Sequence, residues 1–174
     1  MIEKALEIAE KAHAGQVRKW GTNEPFIVHP KRVAEKVRSL PGMTEIDIAA
    51  ALLHDVLEDC EGNWAVVIEN ECGKEVLDLV KELTYPTEGK EWSGRSRAEK
   101  NVIRYEHTRK MSKKAQRLKM VDRWDNLRDM VGAPHKLKQK YLVESKELLN
   151  ILRHVDLVMA GELESAIHNL AKGI

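Results

Sequence analysis

The sequence predicts an all-α fold, a compact helical bundle of about eight helices that forms one domain over residues 1–174. Apolar residues recur at helical spacing along almost the whole chain, and no alternating segment is long enough to predict a sheet. A length of 174 residues suits one domain. Apolar residues make up 43% of the chain and charged residues 33%, a balance typical of a globular rather than a disordered protein.

The first two helices are separated by a loop with clear breaking residues. One face of the first helix is apolar and carries Ile2, Leu6, Ala9 and His13. Gly15 can end this helix, and residues 16–29 then form an ordered loop. Pro30 suits the first turn of the second helix, which Pro41 ends.

The third predicted helix runs from Glu45 to about Asp59. Thr44 is a good N-cap for it, because its hydroxyl can accept a hydrogen bond from the first turn. Residues 48–53 are apolar on nearly every side of the helix. A helix of that kind lies in the middle of a domain.

The remaining helices follow the same apolar spacing. They cover about residues 64–68, 76–83, 112–131 and 136–170, the last of these as one or two helices. A loop covers residues 85–95, and Ser96 with Glu99 then forms a capping box that opens another helix.

Charge and apolar runs exclude several classes of protein. The net charge of +1 favours neither a nucleic-acid partner nor a membrane, although residues 89–140 carry a net +10 and the remainder a net −9. The longest apolar run has six residues, far short of the roughly 20 that a membrane span needs. The N-terminus lacks the apolar core of a signal peptide, so we expect a soluble, cytoplasmic protein. The oligomeric state is left open.

A cluster of ionisable residues lies at the end of the central helix. His54 and Glu58, and likewise Asp55 and Asp59, are four residues apart and form two adjacent columns. Three carboxylates beside an apolar helix repel one another and lose hydration, and a divalent cation is the simplest compensation. The alternative is a helix end with solvated acids.

A second polar patch interrupts the helix of residues 112–131. Asp122 and Asn126 continue the apolar stripe of Ala115 and Leu118. An acid in that position is costly unless it is paired or ligates a metal. A pair with a neighbouring arginine is the alternative, namely Arg123 or Arg128.

Three segments, in this order, resemble the HD-domain hydrolases of the RelA/SpoT family in their short, single-domain form. The segments read AHAGQVRKWGTNEPFIVHPKRVAEKV, AALLHDVLEDC and KMVDRWDNLRDM. The resemblance covers residues 5–150. It implies hydrolysis of the 3′-pyrophosphate of guanosine tetra- or pentaphosphate, (p)ppGpp, to GDP or GTP plus pyrophosphate.

The resemblance also implies one metal ion, usually Mn2+, held by His29, His54, Asp55 and Asp122. Two imidazoles and two carboxylates form a mixed ligand set that is compatible with Mn2+ or Fe2+ and does not exclude Zn2+. By its position alone, His29 before Pro30 is more often a cap or a packing residue than a ligand.

The catalytic and substrate-binding residues come from the same resemblance. Glu58 and Asp59 match an acidic pair that activates water and handles protons. Substrate contacts are implied for Arg18, Lys19, Asn126 and Tyr141. The alternatives are ordinary loop solvation for the two basic residues and core packing for the tyrosine.

One departure from the family pattern lies beside a metal ligand. Long members commonly read DRLHN where this chain reads DRWDN, so Asp125 replaces a histidine and adds a negative charge. The four implied ligands are unaffected. The change instead concerns the neighbouring groups that orient the ligands.

Two rival functions remain open. The first is an HD phosphohydrolase that acts on another nucleotide, such as the 2′-phosphate of NADPH, a dNTP or a nucleoside monophosphate. The Arg18-Lys19 pair favours the alarmone. The second is a non-catalytic nucleotide- or RNA-binding module that uses residues 104–119. That stretch has seven basic residues and one aromatic residue, Tyr105, which makes it a poor stacking platform.

Overall fold

The computed structural model describes residues 1–18, 23–86 and 92–173, and this part of the chain is built from α-helices. The only pairing of extended backbone in it is an isolated antiparallel bridge between Val17 and Pro25. The all-α bundle predicted from the sequence is therefore confirmed. The helices in chain order are α1 (Ile2–Ala12), α2 (Val28–Arg38), α3 (Glu45–Leu53), α4 (Val56–Asp59), α5 (Trp64–Cys72), α6 (Lys74–Leu83), α7 (Arg97–Lys110), α8 (Lys113–Asp129), α9 (His135–Leu152) and α10 (Leu157–Lys172).

Helices α3 and α8 lie in the interior of the bundle. All residues of α3 from Asp47 to Leu53 are buried, as expected for a helix that is apolar on nearly every side. It packs against α1, α2, α6 and α8, while α8 also contacts α2, α9 and α10. The buried apolar side chains of these helices form one continuous core.

The predicted helix starts are present. Thr44 and Asp47 form a capping box at α3, in which the Asp47 carboxylate accepts from the Thr44 backbone N–H at 2.7 Å. Ser96 and Glu99 form the same motif at α7. Each capping box satisfies backbone N–H groups that the first helical turn would otherwise leave without acceptors.

The prediction of one helix from residue 45 to 59 is wrong, because the helix breaks at His54 and Asp55. The Nδ1 atom of His54 lies 2.8 Å from the carbonyl oxygen of Ala51. In a continuous helix that oxygen would accept from the backbone N–H of Asp55, so the imidazole competes with the helix for its acceptor. The helix restarts as the single turn α4, where Asp59 N–H donates to the Asp55 carbonyl at 2.8 Å.

The break and a divided tail give ten α-helices in the described residues instead of about eight. The tail separates into α9 and α10, and Asp156 caps α10 by accepting from the backbone N–H of Met159 at 3.0 Å. The helix predicted to reach residue 131 ends at Asp129 and continues as a 3-10 turn, Met130–Gly132. No helix among these is long and apolar enough to cross a bilayer.

Candidate metal centre and its cleft

Four residues implied as metal ligands meet at one point between α2, α3 and α8. His29 lies in the first turn of α2, His54 and Asp55 form the break after α3, and Asp122 lies in α8. The Nε2 atom of His29 is 3.3 Å from Asp122 Oδ1 and 3.6 Å from Asp55 Oδ2. The Nε2 atom of His54 is 3.1 Å from Asp55 Oδ2 and 3.6 Å from Asp122 Oδ1.

These distances suit a divalent cation. With octahedral bonds of about 2.1 Å, neighbouring ligand atoms lie roughly 3 Å apart. One ligand atom from each of His29, His54 and Asp122 lies within 4.8 Å of the others. The Nε2 atoms of both histidines are buried and have no hydrogen-bond partner, although carboxylate oxygens are near. Buried polar atoms without partners are rare, and a shared ion would satisfy both of them.

The far side of each imidazole is already engaged. His54 Nδ1 lies 2.8 Å from the Ala51 carbonyl oxygen, and His29 Nδ1 lies 2.7 Å from Asp125 Oδ2. A carbonyl oxygen can only accept, so Nδ1 of His54 carries the proton and Nε2 faces the shared point. Imidazoles that ligate metals are commonly oriented in this way.

The cluster favours positive charge. Burial alone would lower the pKa of His54, but the negative charges of Asp55 and Asp122 raise it well above its usual value. Burial likewise would raise the pKa of Asp55, and His54 instead lowers it to about 2. Burial opposes ionisation of Asp122 as well, but Lys119 holds its pKa well below the usual value, so both carboxylates are ionised at neutral pH and available to a cation.

Lys119 is the ion-pair partner of Asp122, in place of the arginines considered from the sequence. Its Nζ atom lies 3.0 Å from Asp122 Oδ2 and 4.5 Å from the centre of the Tyr85 ring. Burial disfavours its charged form, but nearby acids that include Asp122 and Glu58 raise the pKa of Lys119. An ammonium group is thus fixed beside the cluster, on the cleft side.

The predicted acidic pair lies on α4, one turn beyond the break. Glu58 is half-buried, and its Oε2 accepts from the backbone N–H of Tyr85 at 3.4 Å. Burial raises the pKa of Glu58, while Lys119 opposes the shift. Asp59 is exposed at the rim. Both side chains line the same cleft as Asp55.

The predicted substrate residues that can be described also reach this cleft. Arg18 donates to Asp129 Oδ2 at 2.7 Å and to Asn126 Oδ1 at 2.8 Å, and its guanidinium lies 5.2 Å from the centre of the Phe26 ring. Asn126 in turn donates to Asp122 Oδ1 at 2.5 Å. Tyr141 packs against the core and lines the cleft at once. Lys19 lies outside the described residues.

The cleft consists of two adjoining cavities of about 420 and 230 Å³. The larger cavity extends over the loop before α2. The smaller cavity opens over the candidate metal site. Five residues line both cavities: Arg18, Phe26, Asp59, Asn126 and Tyr141.

The sequence did not predict a group of basic side chains that we call the basic wall. This wall consists of Arg97, Arg104, Lys119 and Arg123. All four line the smaller cavity. Arg104 lies 5.4 Å from the ring centre of Tyr85 and 5.0 Å from that of Trp92, and Arg123 lies 5.0 Å from that of Tyr141. Arg104 Nε and Arg123 Nη1 are buried without hydrogen-bond partners. The net charge of residues 89–140 signalled this wall, but not which residues face the cleft.

Two known proteins match most of the chain in sequence. A guanosine-3′,5′-bis(diphosphate) 3′-pyrophosphohydrolase, MESH1, from Xenopus tropicalis is 29% identical over 170 residues, which cover 94% of this chain and 91% of that protein. Its namesake from Drosophila melanogaster is 29% identical over 156 residues, covering 86% of this chain and 83% of that protein.

A solved structure agrees with these sequence matches. It is a metazoan ortholog of SpoT that hydrolyses ppGpp and plays a role in starvation responses. It superposes with a TM-score of 0.84 at 27% identity, over 97% of this chain and 94% of that chain. A family model described as an HD domain matches residues 5–154. The chain therefore belongs to the HD domain family, whose fold implies a divalent metal.

Proposed function

We propose that this protein hydrolyses the 3′-pyrophosphate of ppGpp and pppGpp and releases GDP or GTP together with pyrophosphate. The relatives named for this reaction match the chain over nearly its full length, and so does the solved ppGpp hydrolase. The same proposal includes one divalent ion, with Mn2+ as the ion, held by His29, His54, Asp55 and Asp122.

One observation supports the proposal most directly: the acidic residues of the candidate metal site and the basic wall face the same small cavity. Asp55 and Asp122 line this cavity together with Lys119, Arg104 and Arg123. A substrate with several phosphates needs cationic donors along its length, and arginine donors that lack partners can bind phosphate in bidentate fashion.

A divalent ion bound by the cluster would act as a Lewis acid toward the phosphate and lower the pKa of water in its reach. The protein itself does the rest. Glu58 has a raised pKa, so its carboxylate is suited to take a proton from the attacking water and to return one to the leaving oxygen. Lys119 keeps the neighbouring Asp122 ionised and adds positive charge where the leaving group develops negative charge.

The guanosine end of the substrate would occupy the larger cavity. Arg18 presents a planar guanidinium that can stack on a purine, and its bonds to Asp129 and Asn126 hold that plane in place. Tyr141 offers a second flat surface at the boundary of the two cavities. The separation of the cavities matches a substrate with a base at one end and phosphates at the other.

Product analysis tests the proposal. Metal-free protein is supplied with Mn2+ and, in turn, with ppGpp, GTP, dGTP, AMP and NADPH at matched concentrations, and the products are separated by ion-exchange chromatography. We expect GDP and intact pyrophosphate from ppGpp, with loss of activity after chelation. Asp122→Ala serves as the inactive control.

Two results would contradict parts of the proposal. If ppGpp is untouched while another nucleotide of the panel is consumed, the substrate assignment is wrong and the rival HD phosphohydrolase function stands. If ppGpp releases orthophosphate in place of pyrophosphate, the substrate is right and the placement of the reacting phosphate over the cluster is wrong.

A further inference from the structure

Asp125 is buried behind His29 of the candidate metal site and does not line the cleft. Its side chain is 0% exposed, and its Oδ2 atom lies 2.7 Å from Nδ1 of His29. It replaces the histidine of the DRLHN pattern. A fully buried carboxylate is costly, so its retention calls for a specific set of partners.

Arg32 supplies the compensating charge. It lies one turn after His29 on α2, and its Nε and Nη2 atoms donate to Asp125 Oδ1 and Oδ2, each at 2.8 Å. This fork holds the carboxylate ionised and in one orientation, so Asp125 can only accept. Nδ1 of His29 must therefore donate, and the lone pair of neutral His29 lies on Nε2, which faces Asp122.

We propose that Asp125, held by Arg32, is a positioning residue that fixes the ring orientation and the tautomer of His29 for metal binding. The proposal rests on the metal site of the proposed function. Asp125 reaches the metal only through His29, and nothing in the cleft contacts it, since it does not line either cavity.

The hydrogen-bond chain continues beyond Arg32 to the substrate side of the cleft. Arg32 Nη2 also donates to Asp129 at 2.9 Å, and Asp129 accepts from Arg18 at 2.7 Å. Asp129 therefore shares Arg32 with Asp125 and is also an α8 aspartate, but it does not contact His29. It provides a matched control for the loss of one carboxylate charge.

The first measurement is the affinity of the metal-free protein for Mn2+ alone, by titration calorimetry and by the EPR signal of free Mn2+. Loss of a carboxylate that orients a histidine ligand typically weakens metal binding by about 10–100-fold. We expect that loss for Asp125→Asn. Asp129→Asn should change the affinity by less than about threefold, because it leaves the bond between His29 and Asp125 in place.

The second measurement distinguishes positioning from a merely structural ion pair and needs no metal. In 15N-labelled protein, the His29 Nδ1–H proton should give a protected, low-field signal that is assigned by its loss in His29→Gln. In Asp125→Asn, this proton should exchange with solvent faster and its signal should move upfield. In Asp129→Asn, the signal should persist. Equal Mn2+ affinity and an unchanged signal in Asp125→Asn would overturn the proposal.

These readouts keep the inference separate from the proposed function. If the wild-type protein binds Mn2+ but does not hydrolyse ppGpp, the substrate assignment fails and the positioning role still stands or falls on the affinity ratio. If the wild-type protein binds no Mn2+, both the proposed metal site and the positioning role of Asp125 are wrong.

Arg32→Gln provides a second variant if Asp125→Asn does not fold. It keeps the bond between His29 and Asp125 but removes the fork that orients the carboxylate. We expect a smaller loss of Mn2+ affinity than for Asp125→Asn, together with faster exchange of the same Nδ1–H proton. An unchanged exchange rate in this variant would contradict the role of Arg32.

Discussion

The buried aspartates of α8 and Arg104 of α7 both belong to the candidate site, but the fold holds them in opposite ways. Asp122 and Asp125 of α8 are buried and held by ion-pair partners within the fold, Lys119 and Arg32 respectively. Only Thr108 is buried on α7, and its Arg104 is held by the faces of aromatic rings with one donor atom left without a partner.

The difference separates two tasks within one site. Ligands of a metal must hold their geometry before the ion arrives, and buried hydrogen bonds from α8 provide that rigidity. A cationic side chain that meets a phosphate keeps its donors free until the substrate comes, and stacking on rings orients it without using those donors. Substitution of Asp122 on α8 should therefore abolish function, whereas substitution of Arg104 on α7 should weaken it.

The largest expected effect comes from Asp122→Ala. This change removes one proposed ligand and leaves Lys119 as an unpaired buried cation, so the variant should lose both metal and activity. We expect kcat/KM to fall by more than about 10³-fold, or about 4 kcal/mol in the activation barrier. Elemental analysis and a ppGpp hydrolysis assay measure the two losses. Full turnover with stoichiometric metal would show that Asp122 is not a ligand.

A smaller effect is expected from Glu58→Gln, which removes a proton carrier without removing a ligand. The variant should keep its metal and lower kcat by about 10²–10⁴-fold, the usual size of a general acid–base contribution. The pKa of Glu58 is raised by burial, so the wild-type kcat should fall as the pH drops through that raised value. This acid limb should be absent in the variant. A protein that loses its metal would instead make Glu58 a ligand.

Arg104→Ala tests the α7 side of the comparison. The structure leads us to expect an increase in KM of about tenfold with little change in kcat, because a phosphate contact made equally before and during reaction mainly affects binding. The metal content should not change. Arg109→Ala is the matched control, since Arg109 lies on the same helix and pairs with Glu106 at the exposed surface. An equal change in KM for both variants would point to net charge alone.

The smallest effect concerns the attachment of α7 to α9. Glu144 accepts from Arg97 at 2.9 Å through Oε2 and from Asn101 at 2.9 Å, and although burial opposes it, these donors lower the pKa of Glu144 below 4.5. A lowered pKa adds stability that is present above the unfolded value and lost as the pH falls through the folded one.

Glu144→Gln should therefore reduce the free energy of unfolding by about 1 kcal/mol at pH 7, since Arg97 is partly exposed and solvent weakens the pair. The difference from wild type should shrink as the pH falls below 4.5. Urea denaturation at several pH values measures it, and a difference that grows toward acid would contradict the assigned sign.

Local signals in the sequence were sufficient for the helix starts. Thr44 and Ser96 act on backbone groups within one turn, so their effect can be predicted without knowledge of the tertiary fold. The break at His54 could not be predicted in the same way. It depends on the rotamer of a buried imidazole that takes the Ala51 carbonyl, and the apolar run before it favours an unbroken helix.

The candidate site divides along the same line. The proposed ligand set followed from three motifs that resemble a family, and the structure brings those residues together. The positions of Lys119 and Arg104 at the cleft could not be predicted from the charge pattern. A helical sequence pattern shows which residues share a face, but not which face borders a cleft. The partners of Asp125 required the packing of α2 on α8, between residues 96 positions apart.

That long separation has a consequence for how the protein folds. His29, His54 and Asp55 leave the ribosome well before α8, at a synthesis rate of about 5–20 residues per second. The emerging chain would then carry three of the four proposed ligands, without Asp122 and without Asp125, the residue that we propose orients His29. Contacts between distant segments close late and slow folding. The finished site should therefore select its ion after the core has formed, and metal-depleted cells should contain folded, inactive protein.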